Sequence, residues 1–122
     1  MAYLTPLREY FLTGVNLNSL NTDVGIFSGL PAKYRTFRFT VYEASTSLTT
    51  ATIGLYTAAA GGGTALIAPS ALTGCTAATK FVDVTYTVSG DYRTESSLYL
   101  RNVTPQGGAA TATFRLEIQY FL

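Results

Sequence analysis

An all-β fold, an antiparallel β-sandwich or barrel, is what this sequence predicts, and three observations carry the prediction. Apolar and polar residues alternate with a period of two through most of the chain. Clusters of turn residues, SGLPAK, TAAAGGG, SGDYR and TPQGG, punctuate that alternation. No usable window sustains a helical period, and roughly seven or eight short strands at this spacing suit paired or closed sheets.

The strands follow in order. LREYFLTGVNL and DVGIFSGL are apolar but irregular, broken by Gly14, Gly25 and Gly29 and closed by Pro31. Residues 1–34 are therefore read as an N-terminal arm with one or two strands that pack on the same domain as a core of residues 35–122. In RTFRFTVYE, Phe37, Phe39 and Val41 face one way and Thr36, Arg38, Thr40 and Tyr42 the other, the mark of a half-buried antiparallel strand. TIGLYT sets Ile53 and Leu55 on one face, and TALIAP is ended by Pro69, which has no N–H for a ladder. FVDVTYTV divides Val82, Val84, Tyr86 and Val88 from Phe81, Asp83, Thr85 and Thr87. SSLYLRNV sets Leu98 and Leu100 against Tyr99 and Arg101. The clearest strand is the last, TATFRLEIQYF, with Ala112, Phe114, Leu116, Ile118 and Tyr120 opposite Thr113, Arg115, Glu117 and Gln119.

With 122 residues the chain suits one domain with one core. Charged residues make up 12% and hydrophobic ones 48%. That charge content is about half the ordinary fraction, so part of the surface is expected to be covered in an assembly. A net charge of +1 supplies no field for neutralising many phosphates, which argues against nucleic acid as the main partner. No apolar run approaches the ~20 residues of a membrane span, and the N-terminus lacks the pattern of a secretory leader. The expectation is a protein made in a cytoplasm, with no membrane partner.

The inventory for chemistry is thin. With no histidine, the commonest general base and metal ligand are missing and a serine-histidine triad is excluded. Cys75 is the one cysteine, so it forms no intramolecular disulfide and is read as a small buried residue. The carboxylates Glu9, Asp23, Glu43, Asp83, Asp91, Glu95 and Glu117 are scattered, with no dyad spacing along the chain, so pairing across strands is the remaining route to one. No catalytic, cofactor or metal site is expected.

The glycines Gly61, Gly62 and Gly63 admit three readings. A phosphate loop needs a lysine and a following helix, and TALIAP offers neither. A linker needs a domain on each side, whereas both flanks carry strand patterns. A hairpin tip remains, since glycine reaches positive φ at little cost. Outward-facing Tyr42, Tyr92 and Tyr99 favour a contact surface over stacking on sugars or bases. NVT at Asn102 matches a glycosylation acceptor, a match read as chance.

The stretches ATIGLYTAAAGGGTALIAPSALTG, TKFVDVTYT and SLYLRNVTPQGGAATATFRLEIQYF resemble the head decoration, or cement, proteins that tailed bacteriophages encode beside their major capsid protein. The resemblance covers residues 35–122 and is most marked in LYTAAAGGGTAL, KFVDV, LYLRNVTPQG and TATFRLEI. It implies a jelly-roll or related sandwich that binds the outer surface of the phage head, often as a homotrimer, and clamps capsomers without a cofactor or catalytic residue. The implied partner is the major capsid protein and the implied location is the virion. Some such proteins reach a neighbour with an N-terminal arm, which would put Tyr3, Leu4, Leu7, Tyr10 and Phe11 at a contact; a first core strand is the competing reading. Tyr42, Tyr99 and Gly61 to Gly63 complete the candidate interface. Phage fibre, collar and tail proteins share this cadence, so a receptor- or carbohydrate-binding module is the alternative.

Overall fold

The computed structural model describes residues 7–79, 81–83 and 92–120. Eight strands follow one another: β1 (Leu7–Asn16), β2 (Thr22–Ser28), β3 (Tyr34–Tyr42), β4 (Thr52–Tyr56), β5 (Ala65–Ala71), β6 (Phe81–Asp83), β7 (Ser97–Thr104) and β8 (Thr111–Tyr120). One short 3₁₀ turn, Ala59–Gly61, interrupts the β4–β5 connection. Two antiparallel four-stranded sheets result, sheet A in the order β1-β8-β3-β6 and sheet B in the order β2-β7-β4-β5.

The pairings β4·β5, β3·β6, β2·β7 and β1·β8 are nested, so the chain is a single antiparallel ribbon whose tip is the β4–β5 turn. Wrapping that ribbon on itself adds β3·β8 and β4·β7 and deals its strands alternately into the two sheets. This is the eight-stranded jelly roll. The expected all-β sandwich is therefore what forms, with the glycine run at its hairpin tip.

The N-terminal segment supplies two strands packed on the same domain, as expected, while residues 1–6 lie outside the described residues. Over residues 7–28 it is one strand in each sheet, β1 in register with β8 from Leu7↔Gln119 to Asn16↔Thr111, and β2 with β7. Its irregular alternation has a physical cause, since β1 is bulged between Leu12 and Val15 and β2 between Asp23 and Gly25. A bulge inserts an unpaired residue and shifts the phase of every side chain beyond it. In β1 that residue pair includes Gly14, at a φ of 59°, which the missing Cβ makes easy.

A bulge between Thr36 and Arg38 likewise corrects the faces expected of β3. Thr36 lies opposite the fully buried Ile118 and is turned inward with Phe39 and Val41, where unbroken alternation put it outside. The side chain of Phe37 and the pattern from Val84 to Val88 lie outside the described residues. In β7 and β8 the alternation holds: Leu98, Leu100, Ala112, Phe114, Leu116 and Ile118 are all buried.

Phe39 ties the layers together. Its ring meets Phe27 of β2 edge-on at 6.0 Å and Phe114 of β8 at 5.6 Å. Such ring pairs add about 0.5–1.5 kcal/mol each beyond the area they bury. Cys75 is buried beside this core, and desolvation pushes its thiol above the ordinary value, so it is a packed apolar residue rather than a nucleophile.

At one end of the sandwich, side-chain amides zip the loops. Asn102 is fully buried; its Nδ2 donates to the carbonyls of Thr52 (3.1 Å) and Thr104 (2.9 Å), and its Oδ1 accepts from the Ser19 N–H (2.9 Å). Gln106 accepts at Oε1 from the N–H groups of Thr50 (3.1 Å) and Ala51 (3.0 Å) and donates from Nε2 to Ser47 O and Thr49 Oγ1. An amide so enclosed is no glycan acceptor in the folded chain. The opposite end is anchored by buried Tyr34, which exchanges backbone bonds with Arg93 and donates its hydroxyl to Glu95 O (2.9 Å). Arg93 in turn donates to the Glu95 carboxylate at 2.8 Å.

Two predictions follow from these ends. Asn102→Ala strands three backbone groups, the Ser19 N–H in the β1–β2 loop and the strand-end carbonyls of Thr52 and Thr104, so a loss of about 3 kcal/mol is expected in urea unfolding, and a loss within error of zero would mean this end of the sandwich does not depend on it. Partial desolvation of Glu95 opposes its ionisation, yet the hydrogen bonds from Arg93 and from the Thr94 N–H outweigh this and hold its carboxyl below the ordinary 4.5. A depressed folded value means stability that is present above the unfolded value and lost as pH falls through the folded one. The stability difference between wild type and Glu95→Gln should thus be constant at neutral pH and close below 4.5; a difference that grows on acidification would contradict the assignment.

Candidate interaction surfaces

Register alone determines what each sheet shows to solvent, because residues directly opposite in a ladder share a face. Across the outer face of sheet A runs the row Phe11, Arg115, Thr40, Asp83, and beside it the row Glu9, Glu117, Arg38. Leu7 and Phe11 are each 49% exposed at the β1 edge. At the β6 edge Phe81 is 55% exposed, its ring 6.3 Å from that of Tyr42 and tilted by 38°.

The polar centre of this face is tied up internally. Arg115 lies 3.2 Å from Glu117 Oε1 and 3.9 Å from Glu9 Oε1, and Thr40 donates to Asp83 Oδ1 at 2.9 Å. Glu9 and Glu117 are thus a cross-strand carboxylate pair invisible along the chain, but one guanidinium is shared between them and Glu117 itself is buried. The buried Nε of Arg115 has no hydrogen-bond partner among the described residues. Among the described residues no group of three histidine, cysteine, aspartate or glutamate side chains gathers to hold a metal.

On the outer face of sheet B the row Ile26, Tyr99, Tyr56, Ala65 crosses all four strands, with Ile26 49% exposed. The next row is Asp23, Arg101, Gly54. Over it lies the hairpin tip, which folds back on its own sheet instead of projecting from it. The Ala60 N–H donates to Asp23 Oδ2 at 2.8 Å, and Arg101 bridges Asp23 Oδ1 at 3.1 Å. The turn is closed by Thr57 N–H to Thr64 O (3.0 Å) and Thr64 N–H to Thr57 Oγ1 (2.8 Å). Gly63 has a φ of 66°, and a Cβ there would fall 2.2 Å from Thr57 Oγ1, so glycine is required for the closure itself.

The residues singled out from sequence therefore divide. Leu7, Phe11 and Tyr42 share the outer face of sheet A, while Tyr99 and Gly61 to Gly63 lie on sheet B, the opposite side of the molecule. Tyr10 faces inward opposite Leu116, packs against the core and donates its hydroxyl to Gly29 O at 3.2 Å, as a core-strand residue does. Tyr3 and Leu4 lie outside the described residues. Sequence reasoning passed over Phe81, Ile26 and Tyr56 as surface residues. For Phe81 the signal was present: alternation put this large ring on the polar face beside Asp83.

Comparison with known proteins found no matching family model, no similar characterised protein and no similar solved structure.

The fold-back of the tip yields a direct check. Asp23→Ala removes both the acceptor for Ala60 and the partner of Arg101, so subtilisin should cut within residues 58–63 faster while global stability falls by only about 1 kcal/mol. Unchanged cleavage would show that the carboxylate does not hold the tip down.

Proposed function

We propose that the chain is a non-enzymatic structural protein of a bacteriophage virion, one that decorates the head and stabilises it by binding across neighbouring capsid subunits. The observation that carries this reading is the pairing of a chemistry-poor inventory with exposed apolar side chains on both broad faces, Leu7, Phe11 and Phe81 on one and Ile26 on the other. Exposed apolar groups on two sides of a sparsely charged domain suit a piece held between surfaces. The resemblance of residues 35–122 to decoration proteins points to the same role, with the major capsid protein as partner.

The stabilising effect needs no catalysis. A protein that binds the assembled lattice and not its dissociated subunits favours assembly by mass action, about 2.7 kcal/mol per site at a hundred times the dissociation constant. Many copies multiply this along the shell.

A second reading rests on one specific observation. The Phe81 and Tyr42 rings lie side by side on the same face as the Asp83 carboxylate, and a stacking platform beside a carboxylate suits a sugar ring. It gives a carbohydrate-binding module of a fibre, collar or tail.

The two readings part in one experiment. Purified protein added to undecorated expanded phage heads should co-sediment with them and raise their heat-disruption temperature in calorimetry, with both effects reduced in Phe11→Ala/Phe81→Ala. Absence of co-sedimentation at saturating protein, together with glycan-array binding lost in Phe81→Ala, would replace the first reading with the second.

A further inference from the structure

Four strands edge the two sheets, β1 and β6 in sheet A and β2 and β5 in sheet B, and both edges of sheet B are closed against strand addition by features of the chain itself. β5 carries Pro69, which has no N–H to donate, and its pairing with β4 is irregular at two points. β2 is bulged, and the hairpin tip is bonded to it through Asp23.

β1 is different. From Leu7 to Leu12 it runs in unbroken register with β8, without proline or bulge and with the charge on its inner face, Arg8, held against the Tyr120 ring, and its far side faces no strand among the described residues. Natural sheets blunt long edges with those devices because a row of unpaired N–H and C=O groups is a template for another extended backbone. Leu7 and Phe11, both half-exposed, line the same edge on the outer face.

We propose that this edge is an interface between copies of the chain: β1 of a second copy adds antiparallel to it about a two-fold axis normal to sheet A, joining two four-stranded sheets into one of eight. The occupant is argued from self-complementarity. With Tyr10 on the axis, opposite the partner subunit's Tyr10, Arg8 falls opposite the partner subunit's Leu12 and Phe11 opposite the partner subunit's Glu9. No like charges stand directly opposed, and Leu7 reaches the partner subunit's Phe11 on the diagonal, which covers both exposed apolar side chains. The two Glu9 carboxylates meet only on the diagonal, each 3.9 Å from its own Arg115. Arg8, stacked 4.5 Å from the Tyr120 ring centroid, lies diagonal to the partner subunit's Tyr10 and gains a second ring. A two-fold contact of this kind is isologous and closes at two copies.

The proposal rests on the edge geometry and not on the phage reading. Light scattering behind size exclusion, run on the full chain over a concentration series, should give twice 13.1 kDa at the upper end. Phe11→Lys should give the monomer and, at dilutions where the wild type is itself monomeric, the same melting temperature, since its side chain is on the solvent face, while Phe81→Lys at the other edge of the sheet should remain dimeric. Tyr10→Cys under oxidation should form a covalent dimer, a product that buried Cys75 does not give in the wild type. A monomer at the highest soluble concentration, a trimer, a dimer that survives Phe11→Lys, or no cross-link at position 10 would each overturn the two-fold edge. Loss of capsid binding by an intact dimer would count against the decoration role alone.

Discussion

Everything in this fold depends on where the ribbon turns. The closure of Thr57 on Thr64 sets the register of β4 against β5, and each outer pairing, β3·β6, β2·β7 and β1·β8, is nested around it. A one-residue slip in a ladder exchanges buried and exposed faces along a whole strand. The glycine-rich tip is therefore a structural keystone, and its small residues serve the turn geometry and the close fold-back over Asp23 and Arg101.

Wrapping such a ribbon is costly in chain entropy, because its outermost pair joins residues more than a hundred positions apart, as Leu7 and Gln119 show. The protein answers with two kinds of fastening. The aromatic set Phe27, Phe39 and Phe114 holds the layers by apolar contact that is indifferent to direction. Asn102 and Gln106 hold the loops by directed hydrogen bonds, each amide reaching chain segments far apart in sequence. Apolar packing gives the layers their cohesion, while the amides select one arrangement of loops, since any other leaves buried polar groups unpaired.

The same economy shapes the surface. Most of the carboxylates placed here pair within the molecule, Asp23 with Arg101, Glu95 with Arg93, Glu9 and Glu117 with Arg115, so what the broad faces offer outward is mainly aromatic and aliphatic. A surface of that kind has little to steer a charged ligand and much to gain from being covered. This property supports both the proposed decoration role and the proposed edge pairing of β1, though either stands without the other.

By itself the sequence determined what is local: the strands, from a period of two; the turns, from Gly and Pro chemistry; the hairpin tip at Gly61 to Gly63; and the poverty of catalytic groups that follows from having no histidine. Only the tertiary structure decided which strands meet, because pairing partners such as Leu7 and Gln119 leave no mark on each other's neighbourhood in the chain. The bulges at Gly14, Val24 and Phe37 were equally hidden, since a phase shift reads in sequence only as weak alternation, and it was enough to blur the two N-terminal strands and to turn Thr36 inward. The cross-strand set of Glu9, Glu117 and Arg115 and the division of the candidate residues between two opposite faces belong to the same class. They are products of register, which many distant contacts settle together and no single segment encodes.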